Sequence, residues 1–518
     1  MGQGATLITR RSALLVPAAM LAGCERPLDI AGGFVAGASA AAGHRLRAQG
    51  DAPNPATSRR TQVVIAGAGI AGLAAARALR QRGIEDFVLL DLEQAPGGNS
   101  RGSGLRGIPC PLGAHYLPVP TDAAPEVQAL LEELGLRKRV AGRWVYDERH
   151  LCHAPQERLF FQGQWQEGLL PLNGVDASTL AQYVRFAQEV EKARASGAFR
   201  IPLRNRDAVR GWDNETFAAW LARHGLDDRE LRWYLDYCCR DDYGADSTQV
   251  SAWAGLHYFA ARHGFHPPGT DDEGQREEVL TWPQGNGWLA HALASPLRER
   301  FRGGRLVTRI AERRHAIEVD AFDAATGRTE RWLADRCIVA LPAFVASRVV
   351  ESPPDPLRLL ARQARYAPWL VANLHLRGPL AENGDAPLAW DNVVHGMEGS
   401  LGYVNATHQN LAGSPATVLT WYLAPGEAAR ADLLQRPWTH WRDRILSELA
   451  RPHRDLPRLV TQIDVARYGH AMPVPAPGRV SSLPAPPDSP RVQYAHSDWA
   501  GYSIFEEAFT LGHRAGSR

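Results

Sequence analysis

The hydrophobic pattern changes period within a few residues near position 60. Val63-Val64-Ile65-Ala66 is an unbroken apolar run, which suits a strand buried on both faces of a parallel sheet. Leu73-Ala74-Ala75-Ala76-Arg77-Ala78-Leu79 follows as a helix-forming stretch, and Gly83 stands where a helix C-cap is expected. Phe87-Val88-Leu89-Leu90 is a second apolar strand, closed by Asp91. Strand, helix and strand in this order predict an α/β unit with a parallel sheet.

Between the first strand and the helix lies Gly67-Ala68-Gly69-Ile70-Ala71-Gly72. Each glycine has a task in a dinucleotide site. Gly67 permits the tight strand-to-helix turn, Gly69 lets the backbone approach a pyrophosphate, and Gly72 lets the helix pack against the strand. The N–H groups and positive dipole end at Ile70 and Ala71 are then offered to phosphate. Asp91, about 20 residues further on, sits at the strand tip where a carboxylate can accept hydrogen bonds from a ribose diol.

Beyond Asp91 stands Gly97-Gly98-Asn99-Ser100-Arg101. With the unit before it, this stretch resembles the glycine-pair signature of the flavin-containing amine oxidase superfamily, whose members bind FAD. That superfamily carries arginine directly after the glycine pair. Here Asn99 holds the place, and Arg101 is the candidate guanidinium. Tyr494 to Ala508 resembles the family's last flavin motif. The resemblance implies that Asp498 neighbours the ribityl–pyrophosphate region. It also implies that Ser503, Ile504 and Phe505 open a helix against the flavin's pyrimidine edge, where a helix N-terminus stabilises negative charge. Arg305 to Ile310 resembles the strand whose valine, Val307, packs on adenine, and Asp335 to Pro342 resembles a later buried strand ending in proline. The likeness covers about 61–120, 280–345 and 490–516.

The same resemblance implies which residues line the flavin. His115 and Tyr116 follow Pro111-Leu112-Gly113-Ala114, where the family's chain passes near the isoalloxazine ring, and Trp499 and Tyr502 lie in the flavin-facing loop. Many members place a lysine near flavin N5. The matching strand, Tyr366 to Leu376, holds none, and the chain's only lysines are Lys138 and Lys192. Slow use of oxygen, and electron transfer to a quinone or redox protein, are therefore expected.

Composition narrows the class further. The chain has 518 residues, 45% hydrophobic and 22% charged, which suits a soluble globular protein of more than one domain. A formal net charge of +2 offers no bulk attraction for nucleic acid. Gly98 to Gly102 fits the G-x-S-x-G elbow of hydrolases, but helix-poor Gly104, Gly107, Pro109 and Pro111 follow where a helix is required. His150, Cys152 and His153, like His263 and His266, lack the second half of a metal site, so no metal is assigned.

The N-terminus reads as an address. Arg10-Arg11 before the short apolar run Leu14 to Ala22 resembles a twin-arginine export signal, and Leu21-Ala22-Gly23-Cys24 resembles a lipobox with Cys24 acylated. No later apolar run is long enough to span a bilayer. Of the six cysteines, Cys24 is assigned to lipid and the others read mostly as structural thiols; a Cys110–Cys152 bridge stays open.

These observations predict an export signal with lipobox over 1–24 and a flexible tether over 25–60. An FAD-binding Rossmann-type domain is expected from 61–125, 280–350 and 490–516. A substrate domain is expected from 126–279 and 351–489, its first segment holding helices over Glu126 to Leu136 and Thr216 to His224. The expected function is an FAD-dependent oxidoreductase that passes a hydride equivalent from a C–H beside an amine nitrogen to flavin N5, located in the bacterial periplasm or envelope. The alternatives are a carotenoid- or porphyrinogen-type desaturase and a catalytically idle exported binding protein.

Overall fold

Two sheets organise the chain. The first has the order Phe301–Arg302, Phe87–Leu90, Thr57–Ala66, Arg328–Val339, Ile317–Asp323, Arg305–Glu312, with Val492–Tyr494 also paired to Arg328–Val339. Thr57–Ala66 runs parallel to both Phe87–Leu90 and Arg328–Val339, and Val492–Tyr494 is parallel to the latter. Val63, Ile65, Leu89 and Ile338 are completely buried, because helices cover both faces. Ile70–Gln81 and the C-terminal helix Phe505–Ser517 pack together there, with Leu73, Leu79 and Phe509 in one cluster. This is the mixed α/β, Rossmann-type fold expected. The computed structural model describes residues 30–35, 37, 39–48, 55–262, 264–268, 278–381, 386–410 and 416–518.

The second sheet is mostly antiparallel, in the order Ala31–Phe34, Val460–Pro473, Tyr366–Leu376, Thr417–Leu423, Ser400–Asn405, Asp391–Val394, Glu157–Phe161, Gln164–Glu167. Alternate residues serve two cores. Val371 and Tyr422 face a layer of four helices, Ala177–Ala195, Phe217–Arg223, Arg229–Tyr243 and Ala252–Ala260. Leu370, Ala372 and Trp421 face the helix Trp438–Leu449. The four helices start where their sequences say they should: the side chains of Asp176, Thr216, Asp228 and Ser251 each accept a first-turn N–H.

Two features depart from expectation, and one open question closes. The segment read as a tether contributes the edge strand Ala31–Phe34, paired in parallel with Gln462–Val465, and Thr57–Arg60 already belongs to the first strand of the nucleotide sheet. Small residues that resemble a linker here permit close backbone approach. The helix Pro125–Glu133 buries Val127, Leu130 and Leu131 in the nucleotide-side cluster with Leu73 and Phe509, so it belongs to that layer rather than to the substrate insertion. Phe217–Arg223 does sit in the helical layer, but Cys110, Cys152, Cys238, Cys239 and Cys337 are all free thiols, so no Cys110–Cys152 bridge forms. Cys24, Arg10 and Arg11 lie outside the described residues. Among the described residues, no helix is long and apolar enough to cross a membrane.

Candidate functional site: a dinucleotide cradle joined to an acidic, aromatic recess

A cavity of about 530 Å³ lies between the two sheets. Gly67, Gly69, Ile70, Ala71, Asp91, Gly97, Gly98, Asn99, Val307, Asp498, Ser503, Ile504 and Phe505 line it, as do His115 and Tyr116. One continuous space therefore joins the loops predicted to hold a dinucleotide to the residues predicted to face its reactive ring.

The glycine loop divides its labour as the motif requires. Gly72 is off the wall, and a Cβ there would lie 1.9 Å from the Gly67 carbonyl oxygen, so it serves the fold. At Gly69 the nearest atom to a Cβ would be Gly98 Cα, 3.9 Å away. Nothing in the protein needs that space, which is the space a pyrophosphate would take. Gly69 caps the helix without any side-chain hydrogen bond, so the first-turn N–H groups have no side-chain cap competing for them.

Asp91 is tied into the loop. Its Oδ2 accepts the Ala68 N–H at 2.5 Å and its Oδ1 accepts the Glu93 N–H at 2.7 Å. Burial pushes its carboxyl up to about 6, with the two backbone N–H groups pulling the other way. Asn99 donates to the Ala471 carbonyl at 2.6 Å and so ties the glycine pair to the second sheet. Arg101 does not line the cavity. It donates to the Gly98 carbonyl at 3.1 Å and to Glu93 at 3.2 Å, which braces the loop from behind instead of supplying the missing guanidinium.

Asp498 gives a direct test of fit for FAD. It is 2% exposed, and its Oδ2 accepts the Ala343 N–H at 2.7 Å and the Tyr366 hydroxyl at 2.5 Å. Burial opposes its charge, but His496, Tyr366 and Ala343 together hold the carboxyl below the usual range. Its Oδ1 meets only His496 Nδ1, 3.1 Å away, a nitrogen that also lies 3.1 Å from the Asp498 N–H. An acid on the cavity wall with acceptor capacity to spare suits a polyhydroxylated chain such as ribityl.

The helix Phe505–Ser517 begins at the wall with no side-chain cap, and acids occupy its first turn. Glu506 and Glu507 fill the first turn, both buried. Burial raises Glu507 to about 7, while Leu203 N–H and Tyr502 hydroxyl each donate to it at 2.5 Å. The Tyr502 ring is fully buried against Trp253 and His257, and Trp499 is buried in the cluster containing Val339 and Tyr494. Neither lines the cavity. The loop turns through Gly501 at φ 88° and drives both rings into packing, which corrects their assignment to the flavin face.

The reaction end was only half legible. His115 stacks on Tyr422 at 4.6 Å between centroids and tilts against Trp390 at 5.4 Å. Burial lowers its pKa to about 3, so its imidazole is neutral near pH 7. Tyr116 donates to Asp241 at 3.2 Å. Behind this pair is a recess lined by Glu157, Tyr237, Asp241, Trp390, Asp391 and Tyr422. Parallel pairing sets Asp391 beside Glu157, and Asp241 arrives from the helix Arg229–Tyr243. Burial first, then Glu157 and Asp241, push the Asp391 carboxyl well above the usual range. Glu157, Asp241, Asp391, Trp390 and Tyr422 were not identified from sequence. The doublet Asp241-Asp242 at the end of an otherwise apolar helical face was the one available signal. On the strand expected to carry the lysine, Trp369 and Val371 reach the cavity wall. Lys138 lies in the hairpin Arg137–Tyr146, and Lys192 pairs with Glu189 on Ala177–Ala195.

A family profile described as flavin containing amine oxidoreductase matches residues 70–517, and the chain belongs to that family. It is an FAD-dependent oxidoreductase. The fold is similar to that of a putrescine oxidase solved with putrescine bound, at TM-score 0.68 and 18% identity, covering 89% of this chain and 99% of that one. It is also similar to cyclohexylamine oxidase from Brevibacterium oxydans IH-35A, at TM-score 0.63 and 16% identity over 88% and 98% of the two chains. A fatty acid isomerase from P. acnes that produces CLA shares the fold at TM-score 0.60 and 15% identity over 88% and 97%. A Baeyer-Villiger monooxygenase of Pseudomonas aeruginosa is 34% identical over 125 residues, which span 20% of this chain and about a quarter (24%) of that relative.

Proposed function

We propose that the protein oxidises a small cationic amine and delivers the electrons to a quinone or redox protein in preference to oxygen. The observation that carries the substrate class is the recess of Glu157, Asp241 and Asp391 behind the aromatic wall of His115, Tyr116, Trp390 and Tyr422. Asp391, buried beside Glu157 and Asp241, is disposed to keep its proton until a cation takes its place. Aromatic faces around them favour an ammonium group. An uncharged polyene brings no positive charge to set against three neighbouring acids, which disfavours the desaturase reading.

FAD, when bound, supplies the redox chemistry by accepting a hydride equivalent. The chain's own residues would bind and orient the amine. Neutral His115 and Tyr116 form the wall between cradle and recess, and Asp241 accepts from Tyr116 and so orients its hydroxyl. The acceptor reading rests on the strand Tyr366–Leu376, which presents Trp369 and Val371 to the cavity where the resemblance calls for lysine. The test is a panel of mono-, di- and polyamines, with a quinone or air as acceptor and a neutral alcohol as control. Reduction of the flavin by an amine, followed by faster reoxidation with quinone than with air, is expected. Reduction by none of the amines would remove the substrate class, and fast reoxidation by air would remove the acceptor.

Export and a lipid at Cys24 are also proposed, on the paired arginines and the lipobox-like sequence alone. With Ala31–Phe34 held in the second sheet, only residues 25–30 would separate the lipid from the fold, a reach of about 20 Å. The domain would then sit close to the membrane surface, within range of a membrane quinone.

A further inference from the structure

The family match begins at residue 70, yet part of the cavity wall comes from the chain before it. Ser39, Gly43, His44 and Leu46 line the cavity next to Asp91, Leu92 and Glu93. A strand-tip acid in a glycine-loop dinucleotide site faces the adenosine ribose, so these residues lie at the adenosine end. We propose that residues 31–35 and 39–46 form a strap that closes the adenosine end of the FAD site and governs how fast the flavin leaves.

Two anchorages support a strap rather than a loose arm. At one end, Ala31–Phe34 pairs with Gln462–Val465, the Val35 N–H donates to the Val465 carbonyl at 2.9 Å, and the Arg467 guanidinium lies 3.6 Å from the Phe34 ring centroid. At the other, the Ser39 N–H and hydroxyl donate to the two oxygens of Glu93 at 2.7 and 2.9 Å. Further along, the Arg45 guanidinium stands 4.3 Å from the centroid of Phe322, and Leu46 packs on the cluster containing Val307. The latch is linked to the cradle, because Glu93 also pairs with Arg101, which holds the Gly98 carbonyl. The strap thus bridges the second sheet and the nucleotide sheet, and the adenosine end of the cavity lies beneath it. On this proposal, a dinucleotide seated there leaves by that end only once the Ser39–Glu93 bonds break.

The edge strand allows the strap to be loosened far from the cofactor. Gly32 does not line the cavity, has φ +128°, and would place a Cβ 1.9 Å from the Ile463 carbonyl oxygen. Gly32→Val therefore forces the strand off its partner without touching the FAD site. Ser39→Ala removes one charge-assisted bond of the latch directly. Holoprotein of each variant would be diluted and free FAD followed by its fluorescence. Release about tenfold faster than wild type is expected in both, the size of losing one such bond. Amide hydrogen exchange on the wild-type protein supplies a measurement that needs no variant: residues 39–46 should exchange more slowly when FAD is bound. Wild-type release from Gly32→Val, with its strand shown by exchange to be detached, overturns the proposal even where Ser39→Ala is fast. So does exchange over 39–46 that ignores FAD.

Discussion

Replacing Asp391 with asparagine should weaken amine binding and stabilise the protein at the same time. The side chain is nearly isosteric, so packing against Tyr237 and the pairing of Asp391–Val394 with Glu157–Phe161 survive. What changes is charge. In the absence of substrate, Asp391 is buried beside Glu157 and Asp241, and these neighbours raise its pKa after burial itself. Removing one of three mutually repelling acids relieves that strain, by about 1 kcal/mol on the scale of buried polar replacements. With a cationic amine bound, the same removal takes away a desolvated partner, a loss of about 2 kcal/mol at the lower end of the measured range. At 1.4 kcal/mol per decade this is roughly thirtyfold in the amine dissociation constant. The pH dependence has a definite sign. A raised Asp391 is protonated at low pH and ionises as pH rises, so wild-type affinity for the ammonium form should strengthen with rising pH, and the variant should show a flatter profile. The assay is the amine concentration dependence of flavin reduction in a stopped-flow instrument, alongside urea unfolding of both proteins. An unchanged dissociation constant, or a variant less stable than wild type, would refute the idea that this recess is an acid site held ready for a cation.

Other consequences follow from the same structure. Gly69→Val should fold with near-normal stability but bind no flavin, since its side chain enters only the cavity, whereas Gly72→Ala should destabilise the whole protein by about 3 kcal/mol or more through its contact with the Gly67 carbonyl; flavin absorbance and thermal unfolding separate the two. Glu507 is raised from an ordinary 4.5 to about 7, so its contribution to stability is present below about 4.5 and is lost as pH rises towards 7, by about 3 kcal/mol in all. Glu507→Gln keeps an acceptor for Leu203 and Tyr502 and should flatten that slope, which urea titrations across the pH range would show. In fractionated cells, Arg10→Lys/Arg11→Lys should hold the protein in the cytoplasm and Cys24→Ala should release it from the membrane; a wild-type chain found soluble in the cytoplasm would end the export proposal.

The cofactor half of the site was legible because it is local. Gly67 to Gly72, Asp91 and the glycine pair lie within one strand–helix–strand unit, and the chemistry of each residue follows from its neighbours in the chain. Proximity was legible at the C-terminal motif too, but direction was not. Trp499 and Tyr502 flank Gly501, whose positive φ turns one ring into the core around Val339 and the other into the helical core around Trp253. Arg101 was expected to face the cofactor on proximity alone, and Glu93 and the Gly98 carbonyl claimed it instead. The strap was hidden for a different reason. Glycine and alanine composition reads as linker, yet the same small residues allow Ala31–Phe34 to lie against an edge strand.

The substrate half was illegible because it has no sequence neighbourhood. Glu157 and Asp391 meet through a parallel strand pairing between segments far apart in the chain, and Asp241 reaches them from a helix in a third. Each acid alone reads as an ordinary surface residue, and only the fold shows that they share a buried space. Buried acids set against one another, and the burial of Glu507, run against what stability alone would favour. Asp391 lines the recess, and Asp91, also raised by burial, lines the cavity that the nucleotide loops open. The strap end supplies retention, with satisfied carboxylates and tight backbone contacts. The recess gathers three acids behind an aromatic wall. If both proposals hold, the protein would keep its flavin by one set of residues and choose its substrate by another, and changes in the recess would alter specificity without loosening the cofactor.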